Sequence, residues 1–278
     1  MVYFISDAHL GSRALSSMRT RERRLVNFLD SIKHKATAVY LLGDMFDFWF
    51  EYRNVVPKGY TRFLGKLSEL TDRGVDVHFF IGNHDIWCKN YLTEECGVTM
   101  HYEPFTAEIE GKLFYLAHGD GLGDKDRKFL FIRSIFHSPI CQWLFRNLFP
   151  ADWGMEFGLR WAKASRLKHR RKAIAENGDM LNVSDDGIVS NQLGDVLTQN
   201  HIPEATFMGE DKEPQVIYAK HHLKLHPHTA YFIFGHRHIE LDMMLSRQSR
   251  LLIIGEWMQR FTYAVWDGET MLMDNYED

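Results

Sequence analysis

Within the first 85 residues, three short apolar runs stop at polar corners with no spacer. VYFIS (2–6) runs into Ser6-Asp7-Ala8-His9, AVYLL (38–42) into Gly43-Asp44, and VDVHFFI (75–81) into Gly82-Asn83-His84-Asp85. Segments of helical period lie between them. In 19–33, Leu25, Phe28, Leu29 and Ile32 share one face. Residues 57–72 read as a helix starting at Pro57, whose fixed φ suits a first helical turn. Continuous apolar strands alternating with helices predict an α/β fold, a parallel sheet covered by helices. In such sheets ligands gather outside the carboxyl ends of the strands.

Further strands are predicted at 104–110, 113–118, 230–234, 239–245, 250–254 and 261–267, joined by turns such as Glu110-Gly111 and Asp267-Gly268. Two of them end as the first three do, in Ala117-His118-Gly119-Asp120 and Gly235-His236-Arg237-His238. Helical period dominates between about 125 and 225, broken at Ser138-Pro139 and Phe149-Pro150, with a polar stretch from 177 to 215. Because strands resume afterwards, residues 1–278 are expected to form a single domain with a helical insertion at about 125–225.

Composition removes several classes. Apolar residues at 45% and charged residues at 25% are those of a soluble globular protein. Three cysteines, Cys88, Cys96 and Cys141, are odd in number and lack metal-type spacing, which argues against a disulfide framework or a cysteine zinc site and suits a reducing compartment. MVYFISDAHLG lacks a basic leader and reads as a first strand, and no run reaches the roughly 18–20 apolar residues of a membrane span.

Taken singly, each corner has a plain explanation. Asp-x-His arises by chance, Gly-Asp is usually a turn, and a lone His118 is more often a satisfied buried histidine than a ligand. Five such corners together would bring Asp7, His9, Asp44, Asn83, His118, His236 and His238 to one place. Imidazole mixed with carboxylate and amide oxygen, without thiolate, suits Mn²⁺, Fe²⁺ or Zn²⁺ better than Mg²⁺ or Ca²⁺. Seven donors exceed one tetrahedral site and suit two ions sharing a carboxylate. Such pairs, about 3.5–4 Å apart, clamp an in-line displacement at phosphorus and lower the pKa of water to about 7.

Asp-x-His, Gly-Asp, Gly-Asn-His-Asp, His and Gly-His-x-His, in this order, resemble the calcineurin-like metallophosphoesterases over about 1–125 and 226–278. The resemblance implies a sandwich with a helical lid and two divalent ions, Mn²⁺ in the first instance, with Fe²⁺ or Zn²⁺ as alternatives. One ion would take Asp7, His9, Asp44 and His238; the other would take Asp44, Asn83, His118 and His236, with Asp44 bridging. His84 is expected to face the substrate phosphate, steadying charge or protonating the leaving oxygen, as imidazole can near neutrality. Asp85 is expected to orient His84 from behind, to cap a helix, or both. A non-catalytic scaffold would have lost these ligands, and all seven are present.

The insertion speaks to substrate. Residues 127–175 hold eleven Lys/Arg against Asp152 and Glu156, a net of +9 that leaves −13 on the rest of a chain of net charge −4. Nine Phe/Trp fall between Phe129 and Trp161. Phe129, Ile132, Phe136, Ile140 and Trp143 form one stripe, and Trp153, Phe157 and Trp161 recur every four residues beside a basic face. Two helices packed on each other and covering the sheet would explain this pattern. So would a hydrophobic lid holding acyl chains, with Phe129 and Trp143 against the substrate, Arg166 and Arg170 on phosphate, and an anionic membrane surface nearby.

Gly43-Asp44-Met45-Phe46-Asp47-Phe48-Trp49 and His118-Gly119-Asp120, followed by this insertion, are similar to the UDP-2,3-diacylglucosamine pyrophosphohydrolases of lipid A synthesis. That likeness implies hydrolysis of a nucleotide-linked acylated sugar to UMP and 2,3-diacylglucosamine 1-phosphate. It also implies a cytoplasmic enzyme, peripheral on the cytoplasmic face of the inner membrane. The alternative is a metallophosphoesterase for another phosphodiester or nucleotide. No nucleic-acid partner is expected, since one basic run without a base-reading motif is weak evidence for it. The chain departs from the best-known members of that group at His84, where they carry Arg. His221, His222, His226 and His228 read as polar residues around a helix end.

Overall fold

The computed structural model describes residues 1–12, 18–123, 127–176, 182–183, 189–190, 196–197 and 205–277. The first half runs β1 (Val2–Ile5), α1 (Met18–Ile32), β2 (Ala38–Leu41), α2 (Thr61–Asp72), β3 (Asp76–Phe80), α3 (Tyr91–Cys96), β4 (Thr99–His101), β5 (Phe105–Ile109) and β6 (Lys112–Ala117). Helices α4 (Arg127–His137), α5 (Pro139–Leu148) and α6 (Ala151–Glu176) follow, then short strands β7 (Asn182–Val183), β8 (Val189–Ser190) and β9 (Val196–Leu197). The chain continues through α7 (Pro214–Leu225), β10 (Thr229–Phe234), β11 (Glu240–Met244), β12 (Arg250–Ile254), β13 (Thr262–Trp266) and β14 (Met271–Asn275).

The strands form two large sheets, ordered β14-β13-β1-β2-β3-β4 and β11-β12-β10-β6-β5, and a small antiparallel β7-β8-β9 sheet. β1, β2, β3 and β4 are mutually parallel, as are β6, β10 and β12. The pleat sends alternate residues to opposite faces, so these apolar strands feed two cores at once. Tyr3, Ile5, Val39 and Leu41 pack with Leu25, Phe28 and Leu29 of α1 and Phe63 and Leu67 of α2. Val2, Phe4, Tyr40 and Leu42 instead meet Phe114, Leu116, Ile233 and Leu252 of the second sheet. The outer face of that sheet, with Phe232, Phe234 and Leu251, is covered by Val216 and Ala219 of α7. The expected parallel sheet is thus half of a four-layer sandwich. Both of its sheets send parallel strand ends to the same edge.

Helix α2 begins at Thr61, not at Pro57. Its first amides find their acceptor on another helix: the Glu22 carboxylate takes bonds from Arg62 N at 3.1 Å and Phe63 N at 3.3 Å. Tyr60 enters with φ 60°. By contrast, α5 begins at Pro139, with Ser138 Oγ accepting from Cys141 N at 3.4 Å.

The helical excursion sits on the loops after β2 and β3. Trp87 Nε1 donates to the Phe136 carbonyl at 2.7 Å, and the Trp87 ring lies 5.5 Å from Phe136 and 4.9 Å from Phe145. Gly158 lets α6 approach the sandwich, since a Cβ there would strike the Phe48 ring. The expected single stripe from Phe129 to Trp143 is divided at Ser138, where α4 ends and α5 starts. Phe136 turns inward while Ile132, Ile140 and Trp143 are exposed.

Candidate active site

Each polar corner follows a parallel strand: Asp7 and His9 follow β1, Asp44 β2, Asn83 and His84 β3, His118 β6, and His236 and His238 β10. Their backbones are bent away from ordinary conformations. Asp7 (φ 56°), His9 (42°), Asp44 (53°), His236 (68°) and His238 (52°) are all left-handed without being glycine. Such geometry costs on the order of 1 kcal/mol or more per residue, and tends to cluster at functional sites. The glycine at the third corner is steric in purpose, because a Cβ on Gly82 would collide with the Asp44 carboxylate.

These turns converge the donors. His238 Nε2 lies 3.1 Å from Asp7 Oδ1 and 3.2 Å from His9 Nε2, and His9 Nε2 is 3.6 Å from Asp7 Oδ1. Around the second centre, His118 Nε2 lies 3.4 Å from Asp44 Oδ2 and 3.3 Å from Asn83 Oδ1. The same Asp44 Oδ2 is 3.7 Å from His9 Nε2, between the two centres. Asp7, His9 and His238 form one group whose donor atoms all lie within 4.8 Å; Asp44, His118 and His236 form another. Donors that share an ion at about 2.0–2.2 Å must be this close. His221, His222, His226 and His228 join no such group among the described residues.

Backbone carbonyls fix two of the rings. His118 Nδ1 donates to Leu42 O at 2.8 Å and His84 Nδ1 to Asp47 O at 2.8 Å, which leaves Nε2 of each ring for the site. His84 meets His9 edge-on at 4.9 Å, and its own amide donates to Asp44 Oδ1 at 2.8 Å. Asp7 Oδ2 accepts from Ser6 Oγ at 2.6 Å and His236 N at 2.8 Å, tying a corner of the first sheet to one of the second.

The electrostatics call for cations. Burial works against charge on Asp7 and Asp44, yet the facing histidines, His238 for Asp7 and His118 for Asp44, hold both carboxyls well below the usual range. Burial also opposes charge on His118, but Asp44 and then Asp7 lift it overall. For His236 burial wins, with His118 adding to it, and the pKa falls to about 4, which leaves a lone pair for an ion. Two buried carboxylates that stay ionised beside imidazole and amide donors are a donor set that fits divalent metal ions.

Asp85 is not placed as expected. Its carboxylate accepts from Gly82 N (2.7 Å), Met45 N (2.8 Å), Phe46 N (3.2 Å) and Asp44 N (3.3 Å) and so pins the corner that carries Asp44. His84 is steadied instead by Asp47. The nearest helix, α3, starts only at Tyr91, so Asp85 caps none. Burial and then the Asp44 charge push its carboxyl up to about 7, while the amides of Gly82 and Phe46 pull the other way.

Supports that the sequence reading missed come from distant elements. Arg21 of α1 donates to the carbonyls of Ala8 (3.4 Å) and His9 (3.3 Å). Glu213, just before α7, holds Arg237 with Nε–Oε1 of 2.7 Å, and Gln215 donates to Gly235 O at 3.1 Å. Arg133 of α4 binds buried Asp120 with Nε–Oδ2 of 2.6 Å. No spacing rule links these pairs; Asp47, two residues past Met45 in a conspicuous motif, was the one within reach of the sequence.

Of the expected substrate contacts, Trp143 is 62% exposed on α5. The side chains of Phe129, Arg166 and Arg170 lie outside the described residues. Helix α5 buries none of its residues, and Trp153 on α6 is 73% exposed. Among the described residues no helix is long and apolar enough to cross a membrane.

Residues 1–240 match the family model of calcineurin-like phosphoesterases. A Porphyromonas gingivalis protein named UDP-2,3-diacylglucosamine hydrolase is 41% identical over 280 residues, covering 100% of this chain and 98% of its own. Proteins of the same name are similar over shorter spans. The Edwardsiella ictaluri protein is 30% identical over 62% of this chain and 64% of its own, and the Pseudomonas paraeruginosa protein 28% identical over 67% and 74%.

Proposed function

Given that this chain belongs to the calcineurin-like phosphoesterase family and is a metal-dependent hydrolase, we propose that it cleaves the pyrophosphate of UDP-2,3-diacylglucosamine, releasing UMP and 2,3-diacylglucosamine 1-phosphate for lipid A synthesis. The substrate rests on the full-length relative named UDP-2,3-diacylglucosamine hydrolase, and the chemistry on the position of Asp44 Oδ2, 3.7 Å from His9 and 3.4 Å from His118, between two donor groups. Asp7, His9, Asp44 and His238 would hold one ion and Asp44, Asn83, His118 and His236 the other; the donor set suits Mn²⁺, Fe²⁺ or Zn²⁺, and the family resemblance puts Mn²⁺ first. When bound, such a pair activates water and neutralises charge building on phosphate.

The protein's own groups do the rest. Asp47 O fixes the His84 ring, so that its Nε2 can steady the phosphate or supply a proton to the leaving oxygen. Asp85 keeps Asp44 from drifting as substrate enters. The exposed aromatics of α5 and α6, Trp143, Trp153 and Phe157 among them, support acyl-chain binding. With the basic residues of this segment they also suit an enzyme peripheral to an anionic membrane on the cytoplasmic side.

The test is release of UMP from UDP-2,3-diacylglucosamine with added Mn²⁺, with a non-acylated nucleotide diphosphate sugar in parallel. Strong preference for the acylated compound is expected. Turnover of the soluble compound alone would leave a phosphoesterase with another substrate.

A further inference from the structure

A substrate cut at a pyrophosphate has two unlike halves, and the walls of this site are unlike too. The apolar wall is α5 and α6, seated over Phe48, Phe50 and Trp87. The other wall, between the ends of β3 and β4 and the end of β6, encloses a cavity of about 170 Å³. It is lined by His101, Tyr102, Glu103, His118, Arg133 and His137. His118 belongs at once to this cavity and to the second donor group. A pyrophosphate on the metals would therefore have this cavity beside it.

Size and charge narrow the occupant. The volume is well under the roughly 300 Å³ at which pockets begin to hold a whole drug-sized ligand, so one small ring fits where a nucleotide would not. Arg133 is the only Lys or Arg among the described lining residues, and Asp120 already balances its charge. Burial, reinforced by His78, holds His101 down to about 4, and burial also lowers His137. The cavity thus offers hydrogen bonds without net positive charge, which is wrong for another phosphate and right for a neutral polar heterocycle. His137, half-buried near the end of α4, lines this cavity, and no side chain among the described residues bonds its Nε2.

We propose that this cavity receives the nucleobase of the substrate, with the His137 imidazole on its wall hydrogen-bonded to the ring and the Arg133–Asp120 pair holding α4 in place. The assignment rests on the reading of the substrate as a uridine nucleotide-linked sugar. An imide ring carries both N–H and carbonyl groups, so it can satisfy either tautomer of His137.

The experiment uses the Mn²⁺-loaded full chain with bis(p-nitrophenyl) phosphate as reporter, and compares inhibition by UMP with that by ribose 5-phosphate, which lacks the base. UMP should inhibit about tenfold or more strongly. His137→Leu should weaken UMP to near the level of ribose 5-phosphate, and His137→Gln, which keeps a hydrogen-bonding group, should recover most of the difference. Equal inhibition by the two compounds in the wild-type protein would overturn the proposal, as would a Leu variant that weakens both alike. If UDP-2,3-diacylglucosamine is not cleaved while UMP keeps its advantage, the acylated substrate is wrong and the cavity assignment stands.

Discussion

The edge of the sandwich and the helices above it are built on opposite principles. At the edge, ionisable side chains are buried or half-buried, five of them hang from left-handed backbone, and their carboxylates and rings are held by amides and carbonyls from both sheets. On α5 and α6, large aromatic side chains such as Trp143 and Trp153 face outward. The first arrangement resists movement and fixes atoms for chemistry. The second leaves apolar area uncovered, which a monomer in water disfavours unless something covers it. Rigid polarity inside and open apolarity outside are the contrast on which the proposed division between bond cleavage and acyl-chain binding rests.

Replacing Asp44 with Asn strikes the rigid half hardest. Turnover of bis(p-nitrophenyl) phosphate with Mn²⁺ should fall about a thousandfold, the scale of losing a central electrostatic partner. Near-normal turnover would sink the shared-carboxylate arrangement.

Asp85→Ala tests whether that rigidity comes from behind. It would strand the amides of Gly82, Met45 and Phe46, lowering Tm by about 5–10 °C and Mn²⁺ affinity about 10–100-fold. Loss of kcat with Tm and metal affinity unchanged would instead make Asp85 a partner of His84.

For the open half, Trp143→Ala should reduce kcat/KM for the acylated substrate about tenfold, as loss of a buried aromatic contact would. Tm and soluble diester hydrolysis should hardly change, because the ring is mostly solvent-exposed in the free protein. Equal losses on both substrates would mean that α5 serves the sandwich rather than the ligand.

The smallest effect concerns His101, between the two halves. Its folded pKa of about 4 lies below the ordinary value, with burial and then His78 as causes. The unfolded chain therefore binds the extra proton first, so stability is complete above about pH 6.5 and declines as pH falls toward 4. His101→Phe should flatten the fall in Tm between pH 7 and 5. An unchanged slope would show that His101 is not its source.

Much of this is legible in the sequence. Strands β1, β2, β3 and β10 fell within a residue or so of expectation, because apolar runs ended by Gly or Asp mark a buried strand and its exit. Strands β4 and β14, at Thr99–His101 and Met271–Asn275, went unread. TMH and MLMDN alternate too weakly to announce themselves and become strands by pairing with β3 and β13. Helix α2 starts later than its sequence suggests because the carboxylate that takes its first amides, Glu22, lies 40 residues away on another helix. The role of Asp85 was misread for a related reason. A carboxylate beside a histidine suggests a pair, yet the Asp44 corner offered it more donors.

By itself the sequence determined the ligand types, their order at strand ends, and hence the reaction class, since donor chemistry is a property of side chains wherever they are placed. Tertiary structure alone decided that five corners from two sheets meet at one edge, that Asp44 stands between two donor groups, and that the aromatic helices leave their rings open. Periodicity reveals that a face is apolar and not what covers it. Local motifs name the donors, but their separations are set by left-handed turns and by hydrogen bonds such as that from His236 N to Asp7, 229 positions apart.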